Sequence, residues 1–351
     1  MPDEVLTRAL ETLCNRRSLT EDEAAEVLSE IMHGEASEIQ IAGFLVALRT
    51  KGESVEELAG LARVMRELAV HVPIERDDLL DTAGTGGGRS SFNISTTAAL
   101  IAAGAGCAVA KHGNRSATSR SGSADLLEAL GARIDLGPDQ VAECIREAGF
   151  GFMFAPAHHQ ATRYVIPVRR ELAVRTIFNL LGPLTNPAGA RRQLIGVSDP
   201  AFLHTMAGAL ALLGVHRALV VSAEDGLDEV SATTPTQVVE VNGRELADYV
   251  LRPEQVGLGG GSEPPPGGTP QENAAITEAI LRVDGRPEGP VAGEDVALIN
   301  AGAAIYVAGG ADTIAEGVEA ARSALEEGRA AEALSRYVAA THRLAPAGDP
   351  R

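Results

Sequence analysis

The sequence lacks tryptophan, and aromatic side chains make up only 3% of its 351 residues. It also lacks a disulfide framework, because Cys14, Cys107 and Cys144 are few, odd in number and far apart. We interpret them as buried thiols in a reducing cytoplasm. The N-terminus is acidic and does not resemble a signal peptide, and the most apolar stretch, 97–110, is too short and glycine-interrupted to span a membrane. The sequence therefore predicts a cytoplasmic protein without a membrane partner.

Positive charge is scarce as well. The chain has 30 lysines and arginines against 48 acidic residues, which gives a net charge of −18. Such a chain repels nucleic acid, and no basic stripe interrupts the acidic pattern, so we predict no nucleic-acid partner. A local cluster of basic residues must therefore attract any anionic ligand against the overall field. Hydrophobic residues reach 45%, enough for a core built from aliphatic side chains.

The first part of the chain has the pattern of consecutive helices. Capping-box pairs precede apolar residues at helical spacing, and Gly34 and Gly52 stand where helix C-caps are expected. Pro73 marks the end of this pattern, so we predict a small helical domain over residues 1–72. The capping-box pairs are Thr20 with Glu23, Ser37 with Gln40, and Ser54 with Glu57.

From residue 78 onward, short apolar runs alternate with helical stretches, which is typical of a mostly parallel central sheet covered by helices. We predict an α/β domain over residues 73–345 and a tail over 346–351. The glycine- and proline-rich stretch 257–270 is predicted to be a flexible surface loop. The predicted strands lie at 79–80, 107–110, 150–154, 194–197, 218–222 and 238–241, and helices at 124–130, 138–148, 200–213, 271–282 and 294–337.

A glycine-rich segment follows the first predicted strand. Glycines at 84 and 86–88 precede the sequence Asn-Ile-Ser-Thr at 93–96, which opens an apolar helix. Glycine allows backbone N–H groups to approach a phosphate, and a helix N-terminus adds partial positive charge. Neither a P-loop nor a dinucleotide-binding fingerprint is present. Taken alone, the segment is explained equally well as a tight turn.

A second polar segment makes the anion-site hypothesis stronger. The strand at 107–110 leads into Lys111, His112 and Arg115, and then into a serine-rich helix start at 119–125. Ligands of open α/β sheets bind beyond the carboxyl ends of the strands. Two adjacent strand ends with anion-binding loops indicate a ligand that carries two phosphate groups, and we infer a phosphorylated sugar.

Two further clusters lie downstream. Arg169 and Arg170 belong to an arginine cluster that is explained equally well as surface charge. The sequence Pro-Leu-Thr-Asn-Pro at 183–187 is a rigid loop with no evident structural need. Asp228 and Glu229 follow a predicted strand and have the hard oxygen ligands that Mg²⁺ prefers, although two solvated acids in a turn would look the same.

In these motifs the chain resembles the anthranilate phosphoribosyltransferase family over nearly its whole length. The resemblance implies a small helical domain, completed by helices from about 161–184, and a larger α/β domain. It also implies a homodimer formed mainly through the helical domain. The matching motifs are GTGG at 84–87, NIST at 93–96, KHGNR at 111–115, SGSAD at 121–125, FNLLGPLTNP at 178–187 and DGLDE at 225–229.

The implied reaction is a pentosyl transfer of tryptophan biosynthesis, in which anthranilate takes the 5-phosphoribosyl group of phosphoribosyl diphosphate. No strong general base is implied. Anthranilate would be bound by Gly84, Asn114, Arg169, His112 and Pro183, and two Mg²⁺ ions by Ser95, Asp228 and Glu229. The residues implied to bind phosphoribosyl diphosphate are Gly84, Gly87, Gly88, Ser91, Asn93, Ile94, Ser95, Thr96, Lys111, His112, Gly113, Asn114, Arg115 and Ser123.

The chain departs from the family pattern at Gly88, where an aspartate is usual, and its glycine loop is one residue shorter. The hypothesis is that this change alters the binding of Mg²⁺-diphosphate and that Arg89 or Ser91 compensates. Two other functions remain open: a pyrimidine nucleoside phosphorylase, against which Asp228 and Glu229 argue, and a non-catalytic paralogue, which only Gly88 favours.

Overall fold

The computed structural model describes residues 2–116, 119–283 and 291–345, so the predicted tail at 346–351 lies outside the described residues. The chain begins with four helices, α1 (Glu4–Cys14), α2 (Glu21–His33), α3 (Glu38–Lys51) and α4 (Val55–Glu67). Thr20 and Ser54 form the predicted capping boxes. Ser37 caps α3, but Gln40 bonds instead to the backbone N and O of Asp3, at 3.0 and 2.9 Å. These two bonds tie α3 to the start of α1.

A central sheet of the predicted kind follows. Its strand order is β3-β2-β1-β4-β5-β6-β7; the first five strands in this order run parallel, and β6 and β7 are antiparallel. β7 is absent from the predicted strands because its residues are mostly exposed and lack an apolar run. The strands are β1 (Leu80–Gly84), β2 (Val109–Gly113), β3 (Phe150–Phe154), β4 (Arg192–Gly196), β5 (Arg217–Ala223), β6 (Thr236–Asn242) and β7 (Glu245–Leu251).

Helices cover both faces of the sheet. α5 (Ile94–Gly104) is nearly all buried, because it packs between the sheet and the C-terminal helices. The other helices are α6 (Ser123–Ala129), α7 (Pro138–Ala148), α8 (Ala155–His158), α9 (Ile166–Leu172), α10 (Phe178–Leu181), α11 (Leu203–Leu212), α12 (Pro270–Leu281), α13 (Glu294–Ala308), α14 (Ile314–Glu326) and α15 (Arg329–Leu344). Short 3-10 turns lie at Gln160–Tyr164, Gly182–Leu184, Pro200–Phe202 and Pro253–Val256.

The hydrophobic core has two parts. One surrounds α5 and the C-terminal helices. The other joins the N-terminal helices to α11 and to one face of β4, β5 and β6, and it includes Val165, Val168 and Ile177. The segment expected to complete the helical domain thus packs with that domain's helices. The domain boundary at residue 72 stays a prediction. No helix in the described ranges has the length and apolarity needed to cross a membrane.

The parallel strands place the predicted site. β1, β2, β4 and β5 point the same way, so the loops after Gly84, Gly113, Gly196 and Ala223 meet at one edge of the sheet. Ligand sites of open α/β sheets lie at this edge.

Candidate active site at the carboxyl edge of the sheet

The glycine loop (residues 84–92) lies against the acidic turn (residues 225–229). Gly86 and Gly87 have φ of 66° and 82°, a region that side-chain-bearing residues rarely adopt. This conformation lets the Gly86 N–H donate to Asp228 Oδ2 at 2.9 Å. A Cβ at Gly84 would lie 3.0 Å from the same carboxylate oxygen. The loop therefore depends on glycine to contact a predicted metal ligand.

Gly88 stands where the family resemblance implies an aspartate, and its surroundings explain the glycine. A Cβ at this position would lie 2.7 Å from Asp228 Oδ1 and 2.8 Å from the carbonyl oxygen of Gly226. Burial already disfavours the charged form of Asp228, since desolvation is the main cause of its raised pKa. An aspartate at position 88 would add a second carboxyl group beside it. With the backbone in this position, glycine is the residue that fits at position 88 without a clash.

Arg89, which was expected to compensate for Gly88, is bound by protein groups. Its N–H donates to the Gly226 carbonyl at 2.7 Å, and its guanidinium pairs with Asp225 at 3.8 Å and with Glu263. Glu263 belongs to the stretch predicted to be a flexible surface loop, and Phe92 N also donates to Pro265 O at 3.2 Å. That stretch therefore packs on the glycine loop, a contact that composition alone did not reveal.

Lys111 is the buried cation of the site. It is 1% exposed, and its Nζ donates to the Thr82 carbonyl and lies 3.3 Å from Ser95 Oγ. Burial lowers the pKa of Lys111, and the carboxyl groups of Asp81 and Glu229 oppose that shift. Asp81 is fully buried, and desolvation raises its pKa to about 6. A charged lysine in this setting is stabilised by the two acids.

The rigid loop at 183–187 has a structural role that the sequence did not indicate. Asn186 donates through Nδ2 to Asp81 Oδ2 at 2.7 Å and to the Ala110 carbonyl at 2.8 Å. The loop thereby fixes the carboxyl group that accompanies Lys111. Asp81 is a site residue that sequence reasoning missed, although an acid directly after Leu79 and Leu80 in a buried strand was a usable signal.

The three predicted metal ligands lie around the start of α5. The pKa of Glu229 is raised, first by burial and then by the charge of Asp228, while Lys111 and the nearby Ser95 N–H oppose the shift. Two carboxyl groups that repel each other beside a hydroxyl form an oxygen donor set of the kind that Mg²⁺ accepts together with substrate phosphates. A dication here would relieve this repulsion, so the residues fit the implied metal. Within the described ranges no group of three His, Cys, Asp or Glu side chains is arranged to hold a metal by itself.

The start of α5 holds other predicted residues. Ile94 is buried, and Thr96 is fully buried with its Oγ1 lacking a hydrogen-bond partner among the described residues. Ser91 Oγ donates to the Phe92 carbonyl at 3.1 Å. Asn93 occupies the N-cap position but makes no capping hydrogen bond. Its amide is bonded elsewhere, to Ser121 and Asn273.

Beyond Lys111 and His112, the basic turn (residues 111–116) is held largely by its own neighbours. A Cβ at Gly113 would lie 2.2 Å from Ser123 Oγ, so Ser123 sits directly on this glycine. Ser123 Oγ also donates to the Asn114 carbonyl at 3.3 Å. The Asn114 side chain accepts from the Arg115 N–H at 2.7 Å. Arg115 is bound by carboxylates, with its Nη1 2.7 Å from Asp125 and 2.6 Å from Glu128.

The predicted anthranilate residues lie on segments that flank this edge. Arg169, on α9, rests 5.4 Å from the Phe178 ring centroid, and burial lowers its pKa. It makes no ion pair with a carboxylate in the part of the chain that the structure describes. Pro183 is buried beside Gly182, whose carbonyl oxygen lies 3.2 Å from His112 Nδ1. A half-buried, unneutralised guanidinium is suited to an anionic ligand.

His112 belongs to a cluster of buried imidazoles. Its ring centroid is 5.1 Å from that of His159, and burial lowers the pKa of His112 to about 3 and of His159 to about 4. His158 is 1% exposed and bonds through Nδ1 to the Val70 carbonyl at 2.7 Å. These rings are therefore neutral at pH 7. Their Nε2 atoms have no partner among the described residues.

Arg175 is a second residue that sequence reasoning did not single out for the site. Its Nη2 donates to the Gly86 carbonyl at 2.9 Å and its Nη1 to Ser198 Oγ at 3.2 Å. Its own carbonyl accepts from Arg49 of α3 at 2.6 Å. Arg175 thus links the helical unit to the glycine loop. The only signal in the sequence was its place in the arginine cluster.

A cavity of about 500 Å³ opens beside this link, between α3 and the ends of β1 and β4. Thr85, Arg175, Asn179 and Ser198 line part of it. The predicted phosphate-binding residues lie outside its lining in the described structure. The charged groups and the groups with shifted pKa values lie instead where the glycine loop, the basic turn and the acidic turn meet.

Comparison with known proteins agrees with this geometry. Residues 76–331 match a family model described as the α/β domain of a glycosyl transferase family, and residues 7–69 match the helical bundle domain of the same family. An anthranilate phosphoribosyltransferase from Rubrobacter xylanophilus is 51% identical over 347 residues, which cover 98% of this chain and 100% of the relative. The chain belongs to the anthranilate phosphoribosyltransferase family.

Solved structures show the same fold. The anthranilate phosphoribosyltransferase of Thermus thermophilus is 48% identical with a TM-score of 0.88, covering 95% of this chain and 99% of the other. The Saccharomyces cerevisiae protein, solved in complex with PRPP and Mg, is 25% identical with a TM-score of 0.84, covering 97% and 99%. The predicted fold and family are confirmed.

Proposed function

We propose that this chain transfers the 5-phosphoribosyl group of phosphoribosyl diphosphate to the amine of anthranilate, giving N-(5-phosphoribosyl)anthranilate and diphosphate. Membership of the family supports the reaction. The observation that supports it most within the molecule is the convergence of Lys111, Ser95, Asp228 and Glu229 beside the glycine loop. These groups bring a buried cation, a hydroxyl and two carboxylates together at the carboxyl edge of the sheet.

The sugar donor would lie across the two strand-end loops. The glycine loop and the N-terminus of α5 would supply backbone donors to the phosphate oxygens, and Lys111 would supply charge. Displacement at the anomeric carbon builds positive charge on the sugar while negative charge grows on the departing diphosphate. Stabilising that leaving group and aligning the amine are the main tasks of the protein. The low pKa of His112 leaves a neutral ring, so we assign it a lining role.

The acceptor would be held by its carboxylate. Arg169 offers a half-buried guanidinium without a carboxylate partner among the described residues. A bidentate pair with anthranilate would orient the ring so that the amine faces the sugar. Asn114, Gly84 and Pro183 would complete this side. An aromatic amine is a fair nucleophile without deprotonation, so the mechanism includes no strong general base.

The metal is proposed to be Mg²⁺, with two ions per site. Ser95 Oγ and the carboxylates of Asp228 and Glu229 would hold the two ions. When bound, the ions would neutralise the negative charge of the diphosphate. The yeast relative was solved with PRPP and Mg, which supports this proposal. The raised pKa values of Asp228 and Glu229 predict weaker metal binding as the pH falls and the carboxyl groups take up protons.

We also propose a cytoplasmic homodimer formed through the small helical domain. Ile39 and Val46 of α3 are exposed apolar residues, at 85% and 44%. An exposed apolar surface on one helix supports an interface with a second copy. Light scattering should give twice the mass of the 36.4 kDa chain, and an Ile39→Asp variant should shift it toward the monomer.

The reaction is tested by the loss of anthranilate fluorescence with phosphoribosyl diphosphate, with and without Mg²⁺. The expected result is a loss of fluorescence that requires both the sugar donor and the metal. A parallel reaction with thymidine and phosphate tests the nucleoside phosphorylase alternative. Release of thymine without consumption of anthranilate would overturn the proposal.

A further inference from the structure

A polar ladder of two side-chain pairs joins α5 to α12, two helices separated by about 180 residues in sequence. Asn273 Nδ2 donates to Asn93 Oδ1 at 2.8 Å, and one turn further along both helices Thr277 Oγ1 lies 2.9 Å from Thr97 Oγ1. Asn273 is 1% exposed and Thr277 and Thr97 are fully buried. Buried polar groups of this kind are costly unless they are satisfied, so the ladder fixes how the two helices face each other.

The orientation of the Asn273 amide follows from its partners. The N–H of Gly268 can only donate, and it donates to Asn273 Oδ1 at 2.9 Å. Asn273 Nδ2 must therefore face Asn93. Because Nδ2 can only donate, the atom of Asn93 that receives it must be the oxygen, Oδ1.

The hydrogen bonds between Ser121 and Asn93 are consistent with this orientation of the Asn93 amide. Its hydroxyl donates to Asn93 Oδ1 at 3.1 Å, while its carbonyl accepts from Asn93 Nδ2 at 3.2 Å. Asn93 Oδ1 thus accepts two hydrogen bonds and is not available to cap α5. Asn93 Nδ2 carries two hydrogens, and Ser121 uses one of them. No other described residue is seen to accept from Asn93 Nδ2, so its second hydrogen is left for a ligand.

We propose that Asn273 is a positioning residue for the sugar-phosphate site, because it holds the Asn93 amide with its N–H donor toward the bound phosphoribosyl diphosphate. The inference rests on the proposed function. A reversed Asn93 amide would turn an oxygen toward the phosphate oxygens and repel them. Asn273 thus makes α12, which lies far from the glycine loop in sequence, part of the support for donor binding.

The isosteric variant Asn273→Asp tests the proposal. One carboxylate oxygen can still accept from Gly268, but the other meets Asn93 Oδ1 and drives the Asn93 amide to reverse. Calorimetry should show that phosphoribosyl diphosphate binds about 10- to 100-fold more weakly. The KM for anthranilate should stay within about twofold, since Arg169 is untouched.

Thr277→Val is the matched control. It removes the other bond of the same ladder, so it should lower the melting temperature without changing the Kd for phosphoribosyl diphosphate. Equal losses of affinity in Thr277→Val and Asn273→Asp would show that the ladder acts on stability alone, and would overturn the proposal. An unchanged Kd in Asn273→Asp would overturn it too.

A double-mutant cycle keeps the test decisive if Asn273→Asp does not fold. Asn273→Ala removes the donor without adding a charge, and its effect on the Kd should vanish in an Asn93→Ala background. Additive effects would contradict the proposed coupling. If the wild-type chain binds the donor but does not consume anthranilate, the proposed function fails. If it consumes anthranilate and Asn273 has no effect on donor binding, only the positioning role fails.

Discussion

The glycine loop and the basic turn follow neighbouring parallel strands, yet they are held in opposite ways. The glycine loop is fixed from outside, by Asp228 on Gly86 N, by Arg175 on the Gly86 carbonyl and by Glu263 on Arg89. The basic turn is fixed from within over residues 113–116, by Ser123 against Gly113 and by the acids around Arg115. Its first two residues, Lys111 and His112, also contact Thr82 and Asp81 of β1. The glycine loop thus depends on distant segments, whereas most of the basic turn depends on its own sequence neighbours.

This difference shows how an acidic protein can bind an anion. The glycine loop lies beside carboxylates and contributes backbone donors, so a metal ion on Asp228 and Glu229 would have to supply its positive charge. The basic turn contributes Lys111, whose charge is buried and directed toward Ser95. Arg115, although basic, is already neutralised by Asp125 and Glu128. Charge in the sequence therefore does not by itself identify the phosphate ligands.

The largest effect is expected at the externally held loop. Gly88→Asp would force a carboxyl group into the space beside Asp228 and the Gly226 carbonyl. We expect kcat/KM for phosphoribosyl diphosphate to fall about 100-fold, from overpacking and charge repulsion of about 3 kcal/mol. Steady-state kinetics measure this. Gly88→Asn, which adds the same volume without the charge, separates the steric effect from the charge, and an unchanged or improved kcat/KM in Gly88→Asp would refute the packing explanation.

Arg169 lies outside both loops, so the effect of its substitution is a reference for the effects of substitutions within them. Arg169→Ala should raise the KM for anthranilate about 30- to 100-fold, because a desolvated carboxylate contact contributes about 2–3 kcal/mol. The KM for phosphoribosyl diphosphate should change little. Arg170→Ala, an exposed neighbour on the same helix, is the control. Equal changes in both KM values would show that Arg169 does not bind the acceptor.

A smaller effect is expected for the external support of the glycine loop. Arg175→Ala removes the bonds to Gly86 and Ser198 but leaves the loop sequence intact. The KM for phosphoribosyl diphosphate should rise about tenfold, corresponding to about 1.4 kcal/mol. Donor titrations at saturating anthranilate measure it. If Arg175→Ala behaves like wild type, the loop does not need its link to the helical unit.

The smallest effect is expected in the basic turn. Arg115→Ala should change kcat/KM for either substrate by less than about threefold, because an exposed ion pair with nearby acids contributes about 1 kcal/mol or less. The family resemblance, in contrast, implies that Arg115 contacts the donor. A rise of about tenfold or more in the KM for phosphoribosyl diphosphate would place Arg115 among the donor ligands, and the two loops would then be more alike than their contacts indicate.

The sequence was sufficient where local patterns decide the structure. The capping pairs at Thr20 and Ser54 and the apolar runs of the parallel strands predicted the helical unit and the sheet. β7 was missed because an exposed edge strand has no apolar run. Gln40 was misassigned within its capping box because its actual partner, Asp3, lies 37 residues away.

The candidate site shows the same limit. Lys111, Ser95 and the two acids could be proposed from motifs and family resemblance, and their assignment as ligands stays a prediction. The contacts through which Asp81, Arg175 and Asn273 support the site could not be proposed, because each joins segments that are remote in sequence. The steric need for glycine at position 88 likewise depends on Asp228, which lies far along the chain in the acidic turn.

The central claim is that the glycine loop and the acidic turn together bind Mg²⁺-diphosphate. Its most direct test is calorimetry of phosphoribosyl diphosphate binding, with and without Mg²⁺, to the wild type, to Asp228→Asn and to Lys111→Met. We predict that Mg²⁺ strengthens binding to the wild type and to Lys111→Met, and that Asp228→Asn loses most of this gain. An equal gain from Mg²⁺ in Asp228→Asn and in the wild type would contradict the claim.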